Sequence, residues 1–311
     1  MPSTKEIKRR IKSTKSTAQI TKAMEVVSAT KMRKSQEFAV SSRPFAVASL
    51  EMLNNLLSRT PSLPPLLAAR DVKKSALLVV TSDKGLAGAF NANALKMAKN
   101  WIDFKENAGL GTTVITVGKK AREFFEKRRF DLQKSFSGFG DFSSLADTLS
   151  VSETIIGGFL LGAFDELDAI YTNFRTTLRQ ETTLKKILPI TKKGVEEAVR
   201  GILPEYGKYS ESSIKYPVSS IKYNYEYKFE PSAEEILNML VPQLIRMHIH
   251  HIILESNASE HSARMVAMKN ATDAARDLMD ELTLTYNKTR QAGITRELTE
   301  ITAGTEALEM A

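Results

Sequence analysis

MVAMKNATDAARDLMDELTLTYNKT, residues 265–289, decides how this chain folds. Met265, Met268, Thr272, Ala275, Met279, Leu282, Tyr286 and Thr289 fall at alternating steps of three and four, the seam of a coiled coil. Upstream, Ile236, Leu240, Leu244, Met247, His251 and Leu254 keep similar spacing, until the polar stretch Ser256–Ser262 interrupts it. Between Ser232 and Ala292 there is no glycine and a single proline, Pro242. One long helix is predicted, and a seam of this kind needs a second helix laid against it.

The opposite end of the chain offers that helix. Residues 3–43 contain neither glycine nor proline, with Pro2 before them and Pro44 after. Such a run would extend roughly 60 Å at about 1.5 Å per residue. Ser3 or Thr4 can cap it, with Glu6 as the capping-box partner of Ser3. Its stripe of Ile7, Ile11, Thr14, Ala18 and Thr21 is thin, and further apolar residues (Ile20, Ala23, Met24, Val26, Val27, Met32) spread around the axis. A helix of this kind is poorly served by burial in its own domain. The two terminal helices are therefore expected to pair, and because the chain must return, to pair antiparallel.

Between them the texture changes. ALLVVT (76–81) reads as a buried strand running into the loop SDKGLAGAFN, and 92–104 reads as a helix. TTVITV (112–117) is a second strand and 119–129 a second helix; 143–161 is helical, and 169–174 with 182–190 look like a strand pair. Strands alternating with helices predict an α/β unit with a mainly parallel sheet. The stretch 194–217, rich in glycine, proline, serine and tyrosine, reads as an irregular insertion, and Tyr223, Tyr225, Tyr227 and Phe229 alternate as in a half-buried strand. The fold class is α/β: a long antiparallel coiled coil of the N- and C-terminal helices plus a central α/β domain with a mainly parallel sheet. The expected division is a shaft helix over 1–60, a central domain over 70–230 with an insertion at 191–222, and a second shaft helix over 231–311.

Composition narrows the function. The 311 residues are 42% hydrophobic and 26% charged, enough for a real core and against wholesale disorder. Cysteine is absent, which removes disulfide frameworks, cysteine–zinc sites, iron–sulfur clusters and thiol catalysis. The longest apolar runs fall well short of the roughly 20 residues that span a bilayer, and MPSTKEIKRR lacks the apolar core of a secretory signal. A soluble protein of a reducing compartment is expected.

Net charge is +8, from 44 basic and 36 acidic residues. Lys5, Lys8, Arg9, Arg10, Lys12, Lys15, Lys22, Lys31, Arg33 and Lys34 stand against only Glu6 and Glu25 in the first 34 positions. The rest of the chain is neutral. A compact basic block implies an acidic partner: nucleic acid, anionic lipid or an acidic protein surface. No aromatic residue precedes Phe38, so stacking on bases has nothing to use.

The catalytic motifs are weak. Gly85-Leu-Ala-Gly88 follows a strand and precedes a helix as a phosphate loop would, yet no Lys-Ser/Thr pair follows and the dinucleotide pattern is missing. A structural turn is the better reading, and a dinucleotide-binding enzyme fails on this loop. His248, His250 and His251, with Glu255 beyond them, cluster on a helix but lack His-Glu-x-x-His order; helix packing explains them better than a metal. No catalytic residue, cofactor or metal site is assigned.

Four stretches carry a resemblance. QITKAMEVVSATKMRKSQ (19–36) looks like the N-terminal signature of the gamma subunit of F-type ATP synthases, and 253–308 resembles its C-terminal signature almost throughout. TSDKGLAGAFNAN (81–93) and FEPSAEEIL (229–237) match as well, while 122–150 and 191–222 match weakly. The cysteine-bearing regulatory insert of plant forms is absent.

The resemblance implies a non-catalytic central rotor shaft. It couples ion flow through a membrane c ring to cycling of the catalytic beta sites, for ATP synthesis or hydrolysis. The implied partners are the alpha and beta subunits, the epsilon subunit and the c ring, with one copy per complex. No nucleic acid and no small-molecule substrate are implied, and the place is peripheral, on the cytoplasmic face of the bacterial inner membrane. It also implies that Lys8, Arg9, Arg10 and Lys12 lie near acidic loops of beta, and that Arg290, Gln291, Thr295 and Glu297 contact a beta loop. Lys22, Lys31, Arg33 and Lys34 are expected towards the c ring, and Met24, in the Lys-Ala-Met motif, in coupling. The alternative is a nucleic-acid-binding coiled coil that uses the basic helix as a phosphate clamp.

Overall fold

The computed structural model describes residues 3–41, 52–53, 56, 64–139, 143–190, 230 and 232–309. The expected insertion at 191–222 and the alternation at 223–229 lie outside these residues. In chain order the elements are α1 (Thr4–Ser41), β1 (Lys74–Val80), α2 (Phe90–Asn107), β2 (Gly111–Val117) and α3 (Lys119–Arg128). They continue with β3 (Leu132–Phe136), α4 (Leu145–Leu160), β4 (Glu166–Phe174), β5 (Gln180–Leu188) and α5 (Ala233–Glu309).

The strands form one sheet in the order β3-β2-β1-β4-β5. Pairs β1–β2, β1–β4 and β2–β3 are parallel, and only the β4–β5 pair is antiparallel. The mainly parallel sheet of the sequence reading is therefore present. The short strand β3, LQKSF, was not anticipated. It lies at the sheet edge with Gln133 and Lys134 exposed and no residue fully buried, so it lacks the apolar run that marks β1 and β2.

Alternation along the strands builds two cores. Ala76, Leu78 and Val80 of β1 join Ile115, Val117, Ala169 and Tyr171 on one face, against Val151, Ile155 and Phe159 of α4 and Leu237, Val241, Ile245, Ile249 and Ile252 of α5. Leu77, Val79, Val114 and Ile170 face the other way, against Ala94, Ala98, Trp101 and Ile102 of α2 and Ala121 and Phe125 of α3. A sheet covered on both faces explains why β1 reads as a continuous apolar run.

Local signals set the helix starts. Ser3 accepts from the Glu6 amide at 3.3 Å and Ser232 from the Glu235 amide at 3.2 Å, and Ser144 with Asp147 forms a complete capping box on α4. Gly118, at φ +98, begins α3; a Cβ there would stand 2.2 Å from the carbonyl oxygen of Thr81, so only glycine fits.

By internal contacts the chain divides into two units, one of residues 28–264 that holds the sheet and one of residues 1–27 with 265–311. In the second unit the terminal helices form the expected antiparallel pair. Ile7, Ala18 and Thr21 of α1 are buried, as are Met268, Thr272 and Ala275 of α5. The predicted seam is the buried side of the helix: Met265, Met279, Leu282, Tyr286 and Thr289 are half-buried, while their neighbours Asp280, Glu281 and Thr283 are exposed. The hydroxyls of Thr21 and Thr272 meet at 2.7 Å inside the seam, and Thr272 also bonds the Met268 carbonyl at 2.8 Å.

Candidate functional site

The surface of the helix pair carries the residues singled out in the sequence. Turning Ile7, Ala18 and Thr21 inward leaves Lys8, Arg9, Arg10 and Lys12 exposed on the remaining faces of α1. Lys22 is exposed and donates to both carboxylate oxygens of Glu25 at 3.0 Å, and Met24 is half-buried beside them in sequence. In the unit of residues 28–264, Lys31 is half-buried and Arg33 and Lys34 are exposed, while Ser28 and Ser35 take the buried positions.

The register of the pair explains what happens at the far end of α5. Thr21 lies seventeen positions from Thr4, where α1 starts, and Thr289 lies the same distance in sequence from Thr272. Beyond Thr289 no residue of α1 stands opposite α5, although the helix continues to Glu309. Every residue from Arg290 to Thr305 is accordingly exposed, including Arg290, Gln291, Thr295 and Glu297. Gln291 and Thr295 share one face of the helix at i, i+4.

The overhang also carries a feature that the sequence reading missed. Ile294, Leu298 and Ile301 are 50%, 59% and 63% exposed, at steps of four and three along one face. Three apolar residues at seam spacing beyond the end of the partner helix make a stripe that this chain's described residues leave uncovered. The spacing was visible in the sequence, but its exposure follows only from where α1 starts.

The histidines behave as packing residues. Burial, and then the charge of Lys185, lowers the His248 imidazole to about 3. Burial also lowers His250, whose Nδ1 lies 3.1 Å from the Thr148 hydroxyl, and His251 is buried 3.6 Å from Glu255. Among the described residues no group of histidine and carboxylate side chains is arranged to hold a metal ion.

The glycine loop after β1 lines a cleft of about 240 Å³ at the carboxyl edge of the sheet, where open α/β sheets take ligands. Its chemistry here is self-satisfied. Asp83 accepts from the Lys119 amide at 2.9 Å and the Gly138 amide at 2.8 Å. The Ser82 carbonyl takes the Lys120 amide at 3.2 Å, and Oγ1 of Thr81 takes the Ala121 amide at 2.9 Å. The first three amides of α3 are thus spent on the chain's own oxygens, with a carboxylate seated where a phosphate would bind. The glycine loop itself turns into α2, where the Phe90 amide bonds the Ala87 carbonyl at 3.2 Å.

Comparison with known proteins agrees with this geometry. The ATP synthase family model matches residues 3–308. The ATP synthase gamma chains of Roseiflexus castenholzii and Chloroflexus aurantiacus are each 42% identical to this chain, over 99% of both sequences. Among solved structures, a chain of the central stalk and c ring of the Tetrahymena thermophila mitochondrial ATP synthase superposes with a TM-score of 0.56 at 23% identity, over 81% of this chain and 99% of that one. A chain of the Euglena gracilis mitochondrial ATP synthase rotor gives 0.56 at 17% identity, over 94% and 98%. These two show a shared fold. The family model and the full-length gamma-chain relatives show more: this chain belongs to the ATP synthase gamma chain family.

Proposed function

We propose that the chain is the central rotor shaft of an ATP synthase, a non-catalytic subunit that couples ion flow through a membrane ring to conformational cycling of the beta catalytic sites. The observation that carries this reading is the 42% identity to ATP synthase gamma chains over 99% of both sequences. The geometry supports it. An antiparallel helix pair ending in an exposed single-helix overhang is suited to entering a ring of subunits.

In this reading the 1–60 and 231–311 segments act as the shaft and 70–230 as the body. Lys8, Arg9, Arg10 and Lys12 meet acidic loops of beta, and Arg290, Gln291, Thr295 and Glu297 engage one beta subunit at a time. Lys22, Lys31, Arg33 and Lys34 serve the side of the c ring, and Met24 serves coupling. The alpha, beta, epsilon and c subunits are the partners, with one copy of this chain per complex, on the cytoplasmic face of a bacterial membrane. No helix among the described residues is long and apolar enough to cross that membrane. Exposed ion pairs are worth roughly 0–1 kcal/mol each, which lets contacts break and reform as the shaft turns. An asymmetric shaft changes each beta site only through contacts that differ between orientations.

The test is Gln291→Leu combined with Thr295→Val in the reconstituted complex. Two hydrogen bonds of about 1 kcal/mol each predict a fall in ATP turnover of about thirtyfold. Both residues are exposed, so the melting temperature of the purified chain should barely move. Normal turnover in an assembled double mutant would remove Gln291 and Thr295 from the beta contact.

A further inference from the structure

The polar stretch that interrupts the α5 seam has a structural use. Ser259 is fully buried and donates to the carbonyl of Thr172, near the end of β4, at 2.9 Å. Ser262, also fully buried, donates to the carbonyl of Thr177 in the turn that follows, at 2.8 Å, and accepts from Gln180 at 3.1 Å. Arg264, 7% exposed, reaches the loop after β1: its Nη2 donates to the carbonyls of Gly85 at 3.2 Å and Lys84 at 3.4 Å, and its Nε to Gly85 at 3.4 Å. Glu260, one turn before it, holds the same guanidinium at 2.6 Å.

The azimuths of these groups matter. At about 100° per residue, Arg264 lies about 140° around the helix axis from Ser259, so the serines and the arginine grip α5 from different sides. Apolar burial is non-directional and lets a helix turn or slide in its groove, whereas side-chain donors aimed at backbone carbonyls on two sides oppose rotation about the axis. The carbonyls themselves sit in rigid places. The β1 loop is fastened to α3 and to the exit of β3 through Asp83, and to α2 by the Ser82 and Asn91 side chains, which meet at 2.8 Å. From Arg264 onward α5 continues without a break to Glu309.

We infer that Ser259, Ser262 and Arg264 form the joint through which torque passes between the sheet domain and the continuing α5 helix. Arg264 is its principal positioning residue. This rests on the rotor reading above and adds the place where the helix is locked to the body. Gly85, through its carbonyl, then belongs to a mechanical clasp, which gives the phosphate-loop-like stretch a structural use.

The experiment uses the assembled complex, immobilised by its catalytic head, with a probe on a single cysteine introduced at the exposed Lys127 of α3. The parent complex must first show ATP-driven turning of the probe; a stationary probe there counts against the rotor reading and not against the joint. With the motor stalled, the width of the probe's thermal angular fluctuation reads the torsional stiffness between body and head. Arg264→Met is expected to widen it and Arg264→Lys, which keeps one donor group, to widen it less, with unloaded ATP hydrolysis unchanged. Where Arg264→Met does not assemble, Ser259→Ala with Ser262→Ala and, separately, Glu260→Gln are read in the same way. An unchanged width in the assembled variants overturns the inference, as does a widening matched by an equal loss of unloaded hydrolysis.

Discussion

Glu166, near the start of β4, is where three donors converge: the ammonium groups of Lys105 and Lys186 and the Ser75 hydroxyl. Burial alone would raise its carboxyl, but these bonds overcome it and hold the group at about 2, against an ordinary value of 4.5. Two residues on, Asp168 accepts from the Trp101 indole at 2.9 Å and is pushed upward, mainly by burial. Neighbouring carboxylates thus move in opposite directions according to the donors each can reach. The Lys105 side chain is 15% exposed and that of Lys186 is 48%, so most of the interaction lies with Lys105. Removing the charge in Glu166→Gln strands a largely buried ammonium and should cost about 3 kcal/mol at neutral pH. A group whose folded value is depressed stabilises the fold above its unfolded value and ceases to do so as pH falls through the folded one. The gap in melting temperature between parent and Glu166→Gln should therefore be full above about pH 4.5 and close towards about pH 2. Thermal denaturation across that range checks it; a gap independent of pH would mean that the ion pair is not what Glu166 supplies.

At the scale of the element, the α5 seam alternates large residues with small ones, and Met268, Thr272 and Ala275 are its buried positions. Ala275 is 8% exposed on that seam, so a larger side chain there would enter the helix pair. Ala275→Leu should destabilise the helix pair by about 1–3 kcal/mol through forced backbone shifts, read as a lower denaturation midpoint of the purified chain. An unchanged midpoint would show that the two helices can separate locally to admit leucine. The seam was legible because a heptad pattern fixes which side of a helix is buried without knowledge of the partner. The stretch 256–262 looked like a fault in that pattern. Its meaning depended on carbonyls supplied by Thr172 and Thr177, more than eighty positions away in sequence, and spacing along one helix cannot reveal such partners. The same limit hid β3, whose five residues become a strand only by pairing with β2.

For the whole molecule, the sequence carried the fold class because its three textures are distinct: two ends free of glycine over long runs, and a middle that alternates apolar strands with helices. The site was legible in part. Lys8, Arg9, Arg10 and Lys12 could be placed on an exposed face from the stripe of Ile7, Ala18 and Thr21 alone. The exposure of 290–305 could not, since it follows from the offset between the two helices, which the Thr21–Thr272 contact sets. The account predicts that this chain turns as a unit within its complex while ATP is hydrolysed at sites it does not contain. Because the chain has no cysteine, one introduced residue gives a single thiol within it. The most direct measurement is single-molecule rotation, with a probe on Lys127→Cys of the head-immobilised complex and ATP in solution. Stepwise turning in one direction, stopping when ATP is withdrawn, is the predicted result. A probe that stays fixed while the same complexes hydrolyse ATP would contradict the account.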